Sequence, residues 1–463
     1  MFWLDRTDSS DDLPFLIDGE TVLSYEQTFS RSDEVFQPFE RSVVAILCGR
    51  NIETVIGYVG ALRNNHVPFM LDANLNEDAL SRLLSSYQAE LIFCPSSIRL
   101  AGCEPVAQSG TYALLKRPDI DDCREIHPDL GLLLPTSGTT GDPKSVRLSQ
   151  KNIQSCTESI VRYLELESNR RAISLLPLQY SYGLSVLNSI IEARGSYYIS
   201  SHSPISREFW DGIVTCGITD LSAVPFIFES IKRMRFSDDI LKTLKYVTQA
   251  GGRLDSKLTA HFHSIFSEHG IKYFTMYGQT EASPRICYLD PVDAKAKAGS
   301  VGRVIDIGEV TIHHHADTSD EGELVYKGPN VCMGYAIDRQ DLLKADGFGG
   351  ILMTGDLAKI DADGFVYITG RIKRNVKLHG VSVNLDFIES CLRESGLDAH
   401  IIGRDNLVAA IVVGSGEEEA LSFMRDNFAF HNSVLRVVSL DTMPLNVSGK
   451  PDYKALEREH LGA

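Results

Sequence analysis

The sequence predicts an α/β protein with a large N-terminal domain of α/β subdomains, a small β-rich subdomain and a small C-terminal α/β domain. Three observations predict it. Apolar strands alternate with helical periodicity through the first part of the chain, short strands with close turns take over from residue 308, and a smaller strand–helix alternation follows GRIKRN. We place the boundary near Lys373, dividing residues 1–372 from 373–463, with the β-rich part at about 300–372.

The first strand is VVAILC at 43–48. The segment behind it, NIETVIGYVGALRNN, carries Ile52, Val55, Ile56 and Val59 at helical spacing on one face. The alternation returns in VPFMLD, EDALSRLLSSY and ELIFCP, which reads as a three-layer arrangement around a largely parallel sheet. Strands of that kind end in loops that bind ligands. LGLLLP leads into TSGTTGDPKSV and then the helix KNIQSCTESIVRYLEL, while KYVTQAGG and IKYFTMYGQTEAS repeat the opening of a short strand into glycine-containing turns.

GEVTIHHH, GELVYKG and GFVYITG give the β-rich texture. The C-terminal unit reads as strand NVKLHG, helix LDFIESCLRES, strands AHIIGR and NLVAAIVVG, helix EEEALSFMRDNF and strand VLRVVSL. The EEE at 417–419 is a solvated helix start. His313, His314 and His315 alternate faces on a strand and cannot converge on one metal ion.

At 463 residues the chain is long enough for one large and one smaller domain, and its 43% hydrophobic content supplies their cores. The net charge of -17 argues against nucleic-acid partners, which need a basic face. Nine cysteines without a CxxC pair suit a reducing cytoplasm. The acidic N-terminus MFWLDRTDSSDD lacks the basic start of a secretory signal, and no apolar run reaches spanning length, so integral membrane contact is not expected.

The segment Thr136, Ser137, Gly138, Thr139, Thr140, Gly141, Asp142, Pro143, Lys144 joins hydroxyls, glycines and a lysine in a loop after a strand. Glycine lets backbone N–H groups approach phosphate oxygens, hydroxyls add donors and lysine adds charge. Only two residues separate Gly141 from Lys144, so the spacing is not that of a Walker loop.

This loop is followed in order by MYGQTEAS, GELVYKGPNVCMGY, MTGDLAKIDADGFVYITGR, GRIKRNVKLHG and PLNVSGKPDY. The set resembles the adenylate-forming superfamily of acyl-CoA synthetases, nonribosomal-peptide adenylation domains and luciferases, from about residue 40 to the end. The resemblance implies ATP and Mg²⁺ as cofactors, a small carboxylic acid as substrate, and CoA or the phosphopantetheine of a carrier protein as acyl acceptor. It also implies a mobile C-terminal lid.

By the same resemblance Tyr277 lies against adenine, Gly278 belongs to the nucleotide-binding set, Thr280 meets the α-phosphate and Glu281 binds the metal. A carboxylate is a hard ligand suited to Mg²⁺. Asp356 would accept the ribose hydroxyls, Arg371 would contact ribose or phosphate, and Gly251 and Gly252 would border adenine and the substrate carboxylate. Arg253 departs from the commoner residue beside them. Lys450 would bridge the substrate carboxylate and the α-phosphate, offsetting charge that develops in line at phosphorus. Lys373 would be the hinge of a second conformation in which Gly380 faces the cleft for the thioester step.

Gln179 and Tyr180 stand where many relatives carry Phe-His or Phe-Asp. The missing Asp disfavours an α-amino acid, whose ammonium wants a carboxylate partner. Gln179, Tyr180, Tyr182, Val224 and Phe226 are expected to line the acyl pocket, with packing as the alternative for the last four. Ser382 replaces a larger family residue, which leaves the acceptor thiol open. Rival readings are a stand-alone amino-acid adenylation enzyme, a decayed domain acting as a binding partner, and an oxygenase of the luciferase kind.

Overall fold

A computed structural model describes residues 1–4, 9–118, 120, 125–136, 144–314, 320–378, 381–428, 432–446 and 450–462. Where the sequence reading pictured one largely parallel sheet, the large unit holds two. The first has eight strands, in the order Gly334–Ala336, Ser145–Ser149, Leu130–Pro135, Val67–Asp72, Val43–Cys48, Leu91–Pro95, Tyr112–Lys116, Glu104–Ser109. Its four central strands are parallel and both edges antiparallel. The second has nine strands, with a parallel run from Pro14–Asp18 through Ser196–Ile199, Arg171–Ser174, Asp220–Ala223 and Tyr246–Gln249 to Lys272–Tyr277.

Helices Ile52–Arg63, Gln150–Leu164 and Ser181–Ala193 lie between the two sheets. One continuous core therefore joins Val44 and Ile46 of the first sheet to Leu16 and Tyr197 of the second through Tyr58, Ile153 and Leu187. This corrects the one-faced reading of the helix Ile52–Arg63. Ten of its twelve residues are buried, because a helix with sheets on both sides has no solvent face. Gly57 and Gly60 make the fit possible: a Cβ there would stand 2.5 Å from a ring atom of Phe93 and of Phe36, respectively. The Asn51 side chain caps the start by accepting from the Thr54 amide.

The β-rich part is an antiparallel sheet of Glu309–His313, Gly322–Lys327, Ile351–Ile360 and Val366–Arg371. One short strand from the same stretch, Gly334–Ala336, leaves it and pairs with Ser145–Ser149 at the edge of the first sheet. His313 ends its strand, and His315 lies outside the described residues. A short turn, Ile372–Arg374, leads to the hairpin Asn375–Leu378 and Val381–Asn384. Beyond it a three-stranded sheet, Ala399–Arg404, Leu407–Val413 and Leu435–Leu440, packs with helices Leu385–Glu394, Glu417–Phe428 and Tyr453–Leu461 around two cores of its own. Among the described residues no helix is long and apolar enough to cross a membrane.

Candidate active site

The loops that follow the parallel strands gather at one end of the sheets, as expected where ligands bind such folds. After Tyr246–Gln249 the chain turns through Gly251, whose φ of +83° suits glycine. A Cβ on Gly251 would lie 3.1 Å from Val224 and 3.9 Å from Tyr182, and one on Gly252 would lie 3.3 Å from Pro225. The structure thus brings Tyr182, Val224 and Gly251 together. Tyr182 is buried, with its hydroxyl against Thr248 Oγ1 at 2.8 Å. Phe226 is 47% exposed and takes no part in that packing, because it sits at the solvent side of its short helix. Tyr180 is half-buried and opens the helix Ser181–Ala193; burial and the nearby Asp72 push its hydroxyl up to about 12. Gln179 is half-buried beside it.

After Lys272–Tyr277 the loop through Gly278 folds back so closely that a Cβ would stand 1.8 Å from the Pro284 carbonyl oxygen. Only glycine fits. The Tyr277 hydroxyl donates to Asp356 Oδ2 at 2.5 Å, and Arg371 Nε donates to Asp356 Oδ1 at 3.0 Å. Asp356 and Arg371 are direct partners across neighbouring strands. Burial raises the Asp356 carboxyl above its ordinary value, with Arg371 and Tyr277 opposing. Burial and Asp356 together push the Tyr277 hydroxyl well up. Residues far apart in sequence thus form one hydrogen-bonded unit.

Thr280 Oγ1 lies 3.0 Å from Ser181 Oγ at the start of the helix Ser181–Ala193. Glu281 Oε1 accepts from the Tyr335 hydroxyl at 2.7 Å, and Lys144 Nζ sits 3.3 Å from the centre of the Tyr335 ring, a cation–π contact. Tyr335 comes from the strand that crosses to the first sheet, so that crossing assembles the cluster. One Glu281 oxygen is engaged by Tyr335. A carboxylate with a second oxygen to offer suits Mg²⁺, which is commonly held by one or two carboxylates together with substrate phosphates.

At the stem of the glycine-rich loop, Thr136 N and Oγ1 both donate to the Lys144 carbonyl, at 2.9 and 3.0 Å. Ser137, Gly138, Thr139, Thr140 and Gly141 lie outside the described residues, as does Gly380. Lys373 lies in the turn Ile372–Arg374.

Lys450 arrives from the C-terminal unit. Its amide donates to Asn446 Oδ1 at 3.0 Å and its carbonyl accepts from Asn446 N at 2.7 Å. Lys450 keeps solvent contact, yet the protein crowded around its ammonium, then Arg371, hold it below the ordinary lysine value, with Asp356 opposing. It therefore feels the same Asp356–Arg371 pair that binds Tyr277. The C-terminal unit rests there through Arg253 Nη1 donating to Ser390 Oγ at 2.6 Å and Lys257 Nζ donating to the Glu394 carbonyl at 3.2 Å. Arg253, unassigned from sequence, thus bridges the two units.

Sequence reasoning missed Tyr335, Ser181 and Arg285. Tyr335 closes the signature GPNVCMGY, and Ser181 follows Gln179-Tyr180 directly, so both stood beside recognised motifs. Their roles depend on partners across the fold.

A family model for AMP-binding enzymes matches residues 5–336. The chain is 28% identical over 431 residues to the 2-succinylbenzoate–CoA ligase of Bacillus cytotoxicus, covering 88% of this chain and 86% of that protein. It is 24% identical over 476 residues to the oxalate–CoA ligase of Saccharomyces cerevisiae, covering 89% and 86%. Among solved structures, the o-succinylbenzoate coenzyme A synthetase of Bacillus subtilis in complex with AMP superposes with a TM-score of 0.79 at 21% identity, covering 96% of this chain and 95% of that one.

Proposed function

We propose, from the premise that this chain belongs to the AMP-binding enzyme family, that it is an AMP-forming acid–thiol ligase. It activates a carboxylic acid with ATP as the acyl-adenylate, releases pyrophosphate, and passes the acyl group to the thiol of CoA with release of AMP. The observation that carries this reading is the hydrogen-bonded Asp356–Arg371–Tyr277 unit, and the influence of Arg371 and Asp356 on the Lys450 ammonium supports it. A cation delivered from the far end of the chain to an adenosine-type cradle suits a reaction between two anions.

In the first step a substrate carboxylate oxygen attacks the α-phosphorus and the bond to pyrophosphate breaks. Carboxylate and phosphate repel each other, and the Lys450 ammonium between them offsets charge as it builds in the transition state. Thr280, held by Ser181, donates at the α-phosphate, while Lys144 on the Tyr335 ring faces the β- and γ-phosphates. Mg²⁺ at Glu281 would supply neutralising charge for the departing pyrophosphate. Positioning and charge compensation suffice, with no covalent enzyme intermediate.

Hydroxide leaves a carboxylic acid poorly and AMP leaves readily, which is why the anhydride forms first. In the second step the thiolate sulfur attacks the acyl carbon, the C–O bond to AMP breaks, and the thiol proton goes to solvent. Rotation about Lys373 is the proposed switch between steps, with Gly380 facing the cleft in the second. CoA is favoured as acceptor because the Bacillus cytotoxicus and Saccharomyces cerevisiae relatives are both CoA ligases. The test is exchange of labelled pyrophosphate into ATP across a panel of carboxylic acids, followed by AMP release with and without CoA. Acid-dependent exchange with CoA-dependent AMP release is expected. Exchange without any acid, or AMP release indifferent to CoA, would sink the reading.

A further inference from the structure

Arg285 is 2% exposed and differs from the other enclosed arginines in its partners: Arg147, at 3%, donates to the backbone carbonyls of Tyr335, Lys344, Met333 and Ala345, and the rest meet carboxylates. Arg170 pairs with Asp220, Arg194 with Asp11, Arg339 with Glu90 and Arg374 with Glu389. Among the described residues Arg285 meets no carboxylate. Its Nε donates to the Tyr163 hydroxyl at 3.0 Å and its Nη2 to Ser185 Oγ at 3.3 Å, both neutral, and its guanidinium lies 5.3 Å from the centre of the Tyr182 ring. A guanidinium cannot shed its charge at working pH, and a buried charge is costly without a counter-ion.

Arg285 lines a cavity of about 30 Å³ whose wall is mostly apolar, with Ile160, Leu164 and Val186, and whose polar part includes Ser185 and Thr248 beside Tyr182. That volume exceeds the 10–15 Å³ or so a single water needs, so a short polar group fits and a long chain does not. The other charged residue at the wall, Asp220, is held by Arg170. The cavity also has a fixed relation to the reacting centre. Ser181 faces Thr280 and Ser185 faces Arg285, so two serines four residues apart on one helix face hold both partners. The four residues from Ser181 to Ser185 rise about 6 Å, on the scale of the overall length of a four- or five-carbon diacid. The loop joining Thr280 to Arg285 is pinned by buried Asn330, which donates to the carbonyls of Ala282 and Arg285 at 2.6 and 2.9 Å.

We propose that Arg285 receives a second carboxylate of the acid substrate, so that the substrate class is a short dicarboxylic acid. The distal carboxylate supplies the missing counter-ion, and the rigid loop sets its distance from the carboxyl that reacts. This inference rests on the acyl-activating reading above, and its test separates the two.

Pyrophosphate exchange is measured with matched pairs: malonate and propionate, succinate and butyrate, glutarate and valerate. MgATP binding is followed in parallel by calorimetry. The expected result is a 10- to 100-fold higher kcat/KM for the dicarboxylic member of at least one pair. Arg285→Leu should abolish that preference, and Arg285→Lys should restore part of it, with MgATP binding unchanged in both. If the wild-type protein binds MgATP but exchanges equally well within every pair, or only with acids lacking a second acidic group, the inference is overturned while acyl activation stands. If it neither binds MgATP nor exchanges with any acid, the underlying reading has failed. The wild-type comparison decides even where a variant does not fold.

Discussion

The large unit packs its helices between two sheets in one continuous core, whereas the C-terminal unit keeps two small cores and touches the large one through polar side chains such as Arg253 and Lys257. Exposed polar contacts contribute at most about 1 kcal/mol each, while a shared core cannot be divided without exposing apolar surface. The contrast suits a division of labour. The large unit carries Thr280, Glu281 and Asp356, and the small one carries Lys450, which under the proposed function it would deliver to them.

The strongest way to break this comparison is Lys450→Ala. Loss of a cation that acts in the transition state should lower acid-dependent exchange on the order of 10²–10³-fold, with ATP affinity nearly unchanged. Equal losses in calorimetric ATP affinity would place Lys450 in ground-state binding instead.

The small unit should also be sensitive to acid. Burial pushes the Glu389 carboxyl up, but His400, Arg393 and Arg374 outweigh it and hold the group down from 4.5 to about 2. A depressed folded value means the stabilisation is present above pH 4.5 and is lost as pH falls toward 2, amounting to about 3 kcal/mol. Circular dichroism melts of wild type and Glu389→Gln over that window should converge at the acid end. Parallel curves would show that Glu389 does not govern the unit.

A sharper probe of the fixed half is Tyr335→Phe, which keeps the ring beneath Lys144 and removes the hydrogen bond to Glu281. A bond to a charged group contributes about 1.5 kcal/mol, so the Mg²⁺ needed for half-maximal exchange should rise on the order of 10-fold. Superimposable Mg²⁺ titrations would reduce Tyr335 to packing. The smallest effect is expected for Arg253→Ala at the polar seam, about 2- to 5-fold on kcat, with KM for ATP unmoved; a large drop would mean the seam is not readily exchanged.

Much of the local structure was legible because apolar spacing and turn residues act over a few neighbours. The strands Val43–Cys48, Val67–Asp72 and Lys272–Tyr277 and the helix Leu385–Glu394 fall where the periodicity puts them. The burial of every face of Ile52–Arg63 was overlooked, although IETVIGYVGAL carries few polar residues, because a one-faced pattern was sought where a two-sided one was present. The site divides in the same way. Tyr277, Thr280, Glu281, Asp356 and Lys450 stand in contiguous motifs, whereas Tyr335 and Arg285 take their meaning from Glu281, Ser185 and Tyr163, which lie tens of residues or more away or on another element.

By itself the sequence determined the α/β class and the order of the motifs, since backbone preference and side-chain chemistry are local properties. Only the tertiary structure decided that there are two sheets rather than one, that a stray strand carries Tyr335 under Lys144, and that Arg285 is buried among neutral partners. Each of these depends on which distant segments meet. Strand pairing and desolvation are set by the whole fold, and no spacing along the chain encodes them.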